Sequence, residues 1–126
     1  MGFCWVTLNV SDLDASLAFY TKLVGLELDR RFEPVPGTSI AFVGKGGTQV
    51  ELIRNDNNPD PVHGKDVSLG FTVASLEDKL SDLKGAYSGP VLGPFEPGPG
   101  IRFVYIEDPD GTRIQFVEER RPADSR

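Results

Sequence analysis

The chain has 126 residues, of which 39% are hydrophobic and 25% charged, enough for one compact domain, while its apolar runs are too short for a membrane-spanning helix. A formal net charge of −6 argues against nucleic acid or an anionic membrane as partner. Cys4 is the only cysteine and His63 the only histidine, so an intrachain disulfide is excluded and any Ser-His or Cys-His catalytic pair would have to use His63.

The opening MGFCWVTLNV has no basic stretch followed by an apolar run, so it does not read as a secretory signal, and a cytoplasmic setting is expected. Cys4 is expected to fill core space in the first strand. WVTLNV at 5–10 alternates as a strand, with Val6, Leu8 and Val10 on one face and Trp5, Thr7 and Asn9 on the other. A helix should start at Ser11 or Asp12, either of which can cap free N–H groups. Its apolar face is Leu13, Leu17, Tyr20 and Leu23, and Gly25 ends it. GLELDRRFE is the next candidate strand, followed by IAFVG and GTQVEL. GKGGT at 44–48 resembles a phosphate loop but opens no helix, so a hairpin turn is expected. In GTQVEL, Val50 and Leu52 oppose Gln49 and Glu51.

Asn55–Asp66 has the Asn, Asp, Pro and Gly content of a loop, and His63 within it is expected to be solvated. SLGFTV at 68–73 is a strand with Leu69, Phe71 and Val73 opposite Ser68, Gly70 and Thr72. The second helix should start at Ser75, present Leu76, Leu80 and Leu83, and end at Gly85. GPVLGPF is a weaker strand candidate, and GPFEPGPG at 93–100 reads as a loop or long connector. FVYIE and GTRIQF form a hairpin around Asp108-Pro109-Asp110-Gly111, a turn sequence that explains both aspartates without calcium. In the last strand Ile114 and Phe116 oppose Arg113 and Gln115, and the tail ERRPADSR should fray.

The chain repeats itself. VSDLDASL at 10–17 returns as VASLEDKL at 73–80, and GTQVEL at 47–52 returns as GTRIQF at 111–116. The fold expected is α+β, built from two βαβββ modules: module 1 at about 1–54, a linker at about 55–66, module 2 at about 67–119 and a tail at 120–126. Curved antiparallel or mixed sheets would then curl around a cleft with the helices outside. That cleft would be lined by Trp5, Thr7, Asn9, Gln49, Glu51, Ser68, Thr72, Arg113 and Gln115. The alternative is that these faces meet solvent, as one side of an antiparallel sheet often does. Trp5 speaks against that, since a tryptophan on such a surface usually has cover or a partner.

VTLNVSDLDASLAFYTKLVGLEL resembles the opening of vicinal oxygen chelate proteins, the superfamily of glyoxalase I, bleomycin-resistance proteins, fosfomycin-resistance enzymes and extradiol dioxygenases. EDPDGTRIQFVE resembles their closing hairpin. The resemblance covers almost the whole chain and implies a glyoxalase/bleomycin-resistance-like fold, an architecture that hosts several activities. It also implies four metal-ligand positions, which fall on Trp5, Glu51, Ser68 and Gln115. An indole has no accessible lone pair and a serine hydroxyl is a weak ligand, so only Glu51 and Gln115 could coordinate. One carboxylate and one amide are too few to hold zinc, nickel or iron tightly, and no cofactor is expected.

Three readings follow from the resemblance. The first is a metal-free homodimeric protein that sequesters a small aromatic or cationic molecule, as bleomycin-resistance proteins do. Trp5 would stack on the ligand, Glu51 would accept a donor and Gln115 would fix orientation, with Thr7, Asn9, Ser68, Thr72 and Arg113 completing the lining. The second is a glyoxalase-type (lactoylglutathione lyase-type) enzyme with Glu51 as the catalytic base and a metal on Glu51 and Gln115. The third is a non-catalytic structural or regulatory dimer. No second carboxylate shares the face of Glu51 in this reading, so an acid/base pair has no support.

Overall fold

A computed structural model describes residues 1–120, and the chain divides into two compact units, Met1–His63 and Gly64–Arg126. Each contains a four-stranded mixed sheet and a helix, and the two are copies of one βαβββ module.

The first unit runs β1 (Trp5–Asn9), α1 (Leu13–Ala18), a π-helical stretch (Phe19–Val24), β2 (Leu28–Val35), β3 (Thr38–Val43) and β4 (Gln49–Asn55). Its sheet order is β1-β4-β3-β2, with β1 parallel to β4 and the rest antiparallel. The helix starts where Asp12 accepts the Ala15 N–H at 3.0 Å. It ends at Gly25, whose φ of +98° closes the helix at a conformation that a side chain would resist. Leu13, Leu17, Phe19 and Tyr20 are buried from the helix, against Ala41, Val43, Val50 and Leu52 from the strands. Leu23, the last residue of the expected stripe, is half-buried.

The second unit runs β5 (Ser68–Thr72), α2 (Leu76–Ala86), β6 (Leu92–Gly98), β7 (Ile101–Glu107) and β8 (Arg113–Glu119). Its order is β5-β8-β7-β6, with β5 parallel to β8. Ser75 caps α2 by accepting the Asp78 N–H at 3.2 Å. Gly85 does not stop the helix, because it stays in the right-handed region; the helix ends at Tyr87, whose N–H reaches the Leu83 carbonyl at 2.9 Å. The Tyr87 hydroxyl accepts the Glu107 N–H at 3.1 Å and donates to the Pro90 carbonyl at 3.2 Å, which pins this end of α2 to β7. Leu76 and Leu83 are buried against Val104, Ile106, Ile114 and Phe116.

Glu118 lies on this buried face with 3% of its surface exposed. Its carboxylate accepts the Leu76 N–H at the start of α2 at 2.9 Å and pairs with Arg120 at 2.9 Å. A buried carboxylate is tolerated only when its oxygens are satisfied, and here it also ties α2 to β8. Lys79 lays its ammonium 4.7 Å from the Phe116 ring. Burial pushes its pKa down, against a smaller upward pull from Asp82.

The Asp108 turn forms as its sequence implies. The Asp108 carbonyl accepts the Gly111 N–H at 3.0 Å, and its carboxylate accepts the N–H groups of Asp110 and Thr112 at 3.0 and 2.8 Å. GKGGT joins β3 to β4 as a hairpin connection.

Four further expectations need correction. Cys4 precedes β1 and is exposed, so it fills no core space. His63 is half-buried and its Nε2 lies 2.5 Å from the Asn9 carbonyl, which fastens the linker to the end of β1. GPFEPGPG is no connector: it supplies most of β6 and the turn into β7. Glu119 and Arg120 of the expected frayed tail are held, the first in β8 and the second by its N–H to the Gly100 carbonyl at 2.6 Å; residues 121–126 lie outside the described residues.

One repeat escaped the sequence reading. Phe32-Glu33-Pro34-Val35-Pro36-Gly37 returns as Phe95-Glu96-Pro97-Gly98-Pro99-Gly100. In both, Pro-Gly makes the turn between two antiparallel strands, with φ of +87° at Gly37 and +83° at Gly100.

Candidate functional site

Each sheet has one face packed under its helix and one open face. Alternation decides which residue goes where. On β1, Val6 and Leu8 are half-buried while Trp5, Thr7 and Asn9 are exposed; on β5, Leu69 and Phe71 are half-buried while Ser68, Gly70 and Thr72 are exposed. On β4 and β8, Val50, Leu52, Ile114 and Phe116 are buried, and Gln49, Glu51, Arg113 and Gln115 point to the other side. The structure therefore brings Trp5, Thr7, Asn9 and Glu51 onto the open face of the first sheet. Ser68, Thr72, Arg113 and Gln115 share the open face of the second.

On the first face, Thr7 stands opposite Glu51 in the parallel pairing, and its hydroxyl donates to Glu51 Oε1 at 2.6 Å. Across the next strand boundary Glu51 is opposite Phe42, and Phe42 is opposite Arg30. Phe42 is nearly covered although it belongs to the open face. The Trp5 ring meets it edge-on at 5.1 Å, Phe32 stacks beside it at 6.4 Å, and the Arg30 guanidinium lies 4.1 Å above it. Trp5 itself keeps 41% of its surface exposed. Gln49 does not face a ligand: its amide donates to Asp29 and to the Gly44 carbonyl, both at 2.9 Å, at the end of the sheet.

On the second face, Gln115 is opposite Tyr105, and its amide Nε2 donates to the Tyr105 hydroxyl at 3.4 Å. Gly70 occupies the place that Thr7 holds in the first unit. A Cβ there would come within 3.0 Å of Gln115 Oε1, so the bare glycine leaves room for the amide. Phe95, Phe103 and Tyr105 form a cluster with centroids 5.4 to 6.0 Å apart, and Arg113 lies 4.9 Å from the Tyr105 ring.

The residues at the expected metal positions do not fit a transition metal. Trp5 offers only a donor and Ser68 a neutral hydroxyl, so only the Glu51 carboxylate and the amide oxygen of Gln115, whose Nε2 is turned to Tyr105, have lone pairs to give, too few to hold such an ion tightly. Among the described residues, no three of His, Cys, Asp and Glu gather in a way that could hold an ion. The chemistry on offer is stacking, cation–π contact and hydrogen-bond acceptance.

Sequence reasoning found the first and last strands of each module and missed the aromatic residues between them: Phe32, Phe42, Phe95, Phe103 and Tyr105, with Arg30. Two signals were present. IAFVG and FVYIE alternate, so counting back across each hairpin places Phe42 opposite Glu51 and Tyr105 opposite Gln115. The recurring Phe-Glu-Pro-x-Pro-Gly marks Phe32 and Phe95 as equivalent.

Comparison with known proteins agrees with this architecture. Residues 2–116 match the family model of the Glyoxalase/Bleomycin resistance protein/Dioxygenase superfamily. The chain is 30% identical over 123 residues to a lactoylglutathione lyase of Haemophilus influenzae, covering 90% of this chain and 89% of the relative. Among solved structures, glyoxalase I of Leishmania major superposes with a TM-score of 0.78 at 25% identity, covering 94% of this chain and 87% of that one. An antibiotic binding protein from a Streptomyces species superposes with a TM-score of 0.74 at 21% identity, covering 96% and 97%, a likeness of fold. Among the described residues no helix is long and apolar enough to cross a membrane.

Proposed function

The chain belongs to the Glyoxalase/Bleomycin resistance protein/Dioxygenase superfamily, and on that premise we propose that it binds a flat, aromatic small molecule on its open sheet faces without metal chemistry. The observation that carries this reading is the aromatic cluster of Trp5, Phe42 and Phe32, with Trp5 left partly exposed at a position where the family resemblance expects a metal ligand. An exposed aromatic ring braced by its neighbours gives a planar ligand contact area at little entropic cost, because it has only two torsions to fix. The arginine above each cluster holds the rings in place and leaves edges, not metal ligands, to meet a guest. A homodimer is part of the same reading.

Trp5 is the only tryptophan, so its fluorescence reports on one face alone. Titration with planar aromatic compounds and with bleomycin-type compounds should give saturable quenching and measurable heat, and Trp5→Phe should weaken the calorimetric affinity. Absence of both signals across the panel rejects the reading. Sedimentation at micromolar concentration checks the dimer.

The identity to lactoylglutathione lyases favours a second reading, a glyoxalase-type lyase with Glu51 as proton-transfer base. Elemental analysis and a methylglyoxal–glutathione assay with added Ni²⁺ or Zn²⁺ decide between them. A stoichiometric metal that Glu51→Ala removes, together with turnover, would replace the binding reading with this one.

A further inference from the structure

The helix side of the first sheet carries a groove of about 730 Å³, away from the open face. The register puts it there. On β2, Leu28 and Arg31 are opposite Val43 and Ala41, which are buried under the helix, whereas Arg30 is opposite Phe42 on the other face. Leu17, Ala18 and Leu26 complete an apolar bed with Leu28, which keeps 46% of its surface exposed. Arg31 reaches Asp14 at 2.8 Å, from β2 to α1, and ties the two walls together. Gly44 donates its N–H to the Glu27 carbonyl at 2.7 Å, which holds the turn after β3 beside the start of β2 and brings Lys45 to the rim, 3.7 Å from Glu27. Lys22 lines the groove too, and its ammonium has no partner among the described residues. Three cations thus meet two carboxylates, a local excess in a chain of net charge −6.

The second unit has the same groove: Glu77, Leu80, Ser81, Val91 and Pro94 stand 63 residues after Asp14, Leu17, Ala18, Leu28 and Arg31. There Pro94 takes the place of Arg31 and Gly85 that of Lys22, so Glu77 and Lys84 leave the groove without a cationic excess. We propose that the first groove is a site for a small amphiphilic anion, an alkyl carboxylate: its chain lies on Leu17, Leu26 and Leu28, and its carboxylate accepts from the Lys22 ammonium. Covering the exposed Leu28 with an alkyl chain removes apolar area from water on both partners. The bond to Lys22 is charge-assisted and so stronger than a neutral one. Lys45 adds attraction, because its pair with Glu27 is long and exposed and holds it weakly. The site lies across the sheet from Trp5 and does not depend on the aromatic binding proposed above.

Octanoate, octan-1-ol and octylammonium share a chain and differ in charge, and none has a flat ring to stack on Trp5. Calorimetry on the full chain should show octanoate binding at least about fivefold more tightly than octan-1-ol, with octylammonium weakest, and added salt should narrow the gap. Acetate, which has no chain to bury, should not saturate the site. The amide resonances of Thr21, Lys22, Leu28 and Lys45 should move on titration, while those of Trp5 and of the second groove stay. Lys22→Gln should remove most of the preference for octanoate and Lys84→Gln none of it, with circular dichroism confirming that both variants are folded. Equal affinity for octanoate and octan-1-ol, an undiminished preference in Lys22→Gln, or shifts centred on Trp5 or on the second groove overturns the inference. So does acetate binding as tightly as octanoate, or no binding of octanoate at millimolar concentration.

Discussion

Leu52 and Phe116 hold the same place in two copies of one module, and the helices above them differ in step. Over Phe116, Lys79 spreads its chain across the ring. The helix position equivalent to Lys79 is Ser16, whose hydroxyl is fully buried and has no hydrogen-bond partner among the described residues. The first unit buries bulk from its helix, through Phe19 and Tyr20, over small strand residues such as Ala41 and Val43. The second buries only Leu76 and Leu83 from its helix and makes up the volume with Val104 and Ile106 at the matching strand places. Interiors pack to a nearly constant density, so what one layer gives up the facing layer must supply. The open faces diverge differently: Thr7 with Glu51 is matched by Gly70 with Gln115, a change of hydrogen bonding and charge.

This contrast can be tested from the strongest perturbation downward. Phe116→Ala should cost about 3–5 kcal/mol in denaturant unfolding, the range for emptying a buried aromatic site. A cost under about 1 kcal/mol would mean that the second unit does not depend on strand bulk. Glu118→Ala should cost about 1–3 kcal/mol, because it orphans the Leu76 N–H and releases Arg120. Hydrogen exchange at the Leu76 amide should quicken in that variant. The first unit has Arg54 at the matching place, bonded to the Asn55 carbonyl at 2.6 Å, so Arg54→Ala should leave α1 protection unchanged.

Lys79→Met should stabilise modestly. The lysine's pKa is lowered by burial, so its charged form is disfavoured in the folded state at neutral pH. That cost is present below the folded pKa and disappears as the pH rises past the unfolded value. The advantage of methionine should therefore shrink in alkaline buffer, and a gain that grows with pH would contradict the assigned cause. Ser16→Ala, at the matching helix position, removes an unsatisfied hydroxyl and should be the smallest change: neutral, or stabilising by up to about 1 kcal/mol. Thermal unfolding of the two variants side by side compares the helix–sheet layers directly.

The fold was legible because the module is written twice: the capped helix recurs 63 residues on and the closing hairpin 64 residues on, and alternation assigned the faces of β1, β4, β5 and β8. The open faces that make up the candidate site were legible on those strands and not on β2, β3, β6 and β7. Alternation says which residues of a strand share a face, but matching that face to a neighbour needs the register across the turn. The register places Phe42 beside Glu51 and Tyr105 beside Gln115. Proline hid β6, since GPFEPGPG has the composition of a loop, yet an edge strand has one row of N–H groups with no partner to lose. Gly85 misled for a related reason: glycine ends a helix where φ turns positive, as at Gly25, and merely weakens it elsewhere.

Those prolines have a consequence for how the molecule can meet its own copies. Pro34 and Pro97 lie in β2 and β6, one of the two edge strands of each sheet, and the pairing slips beside both. A rim without a continuous row of donors is a poor template for adding another strand. Phe32 and Phe95 on those rims are exposed and adhesive, but the backbone beside them cannot zip. At these two rims strand addition is disfavoured, so the exposed rings can meet another copy only side chain to side chain.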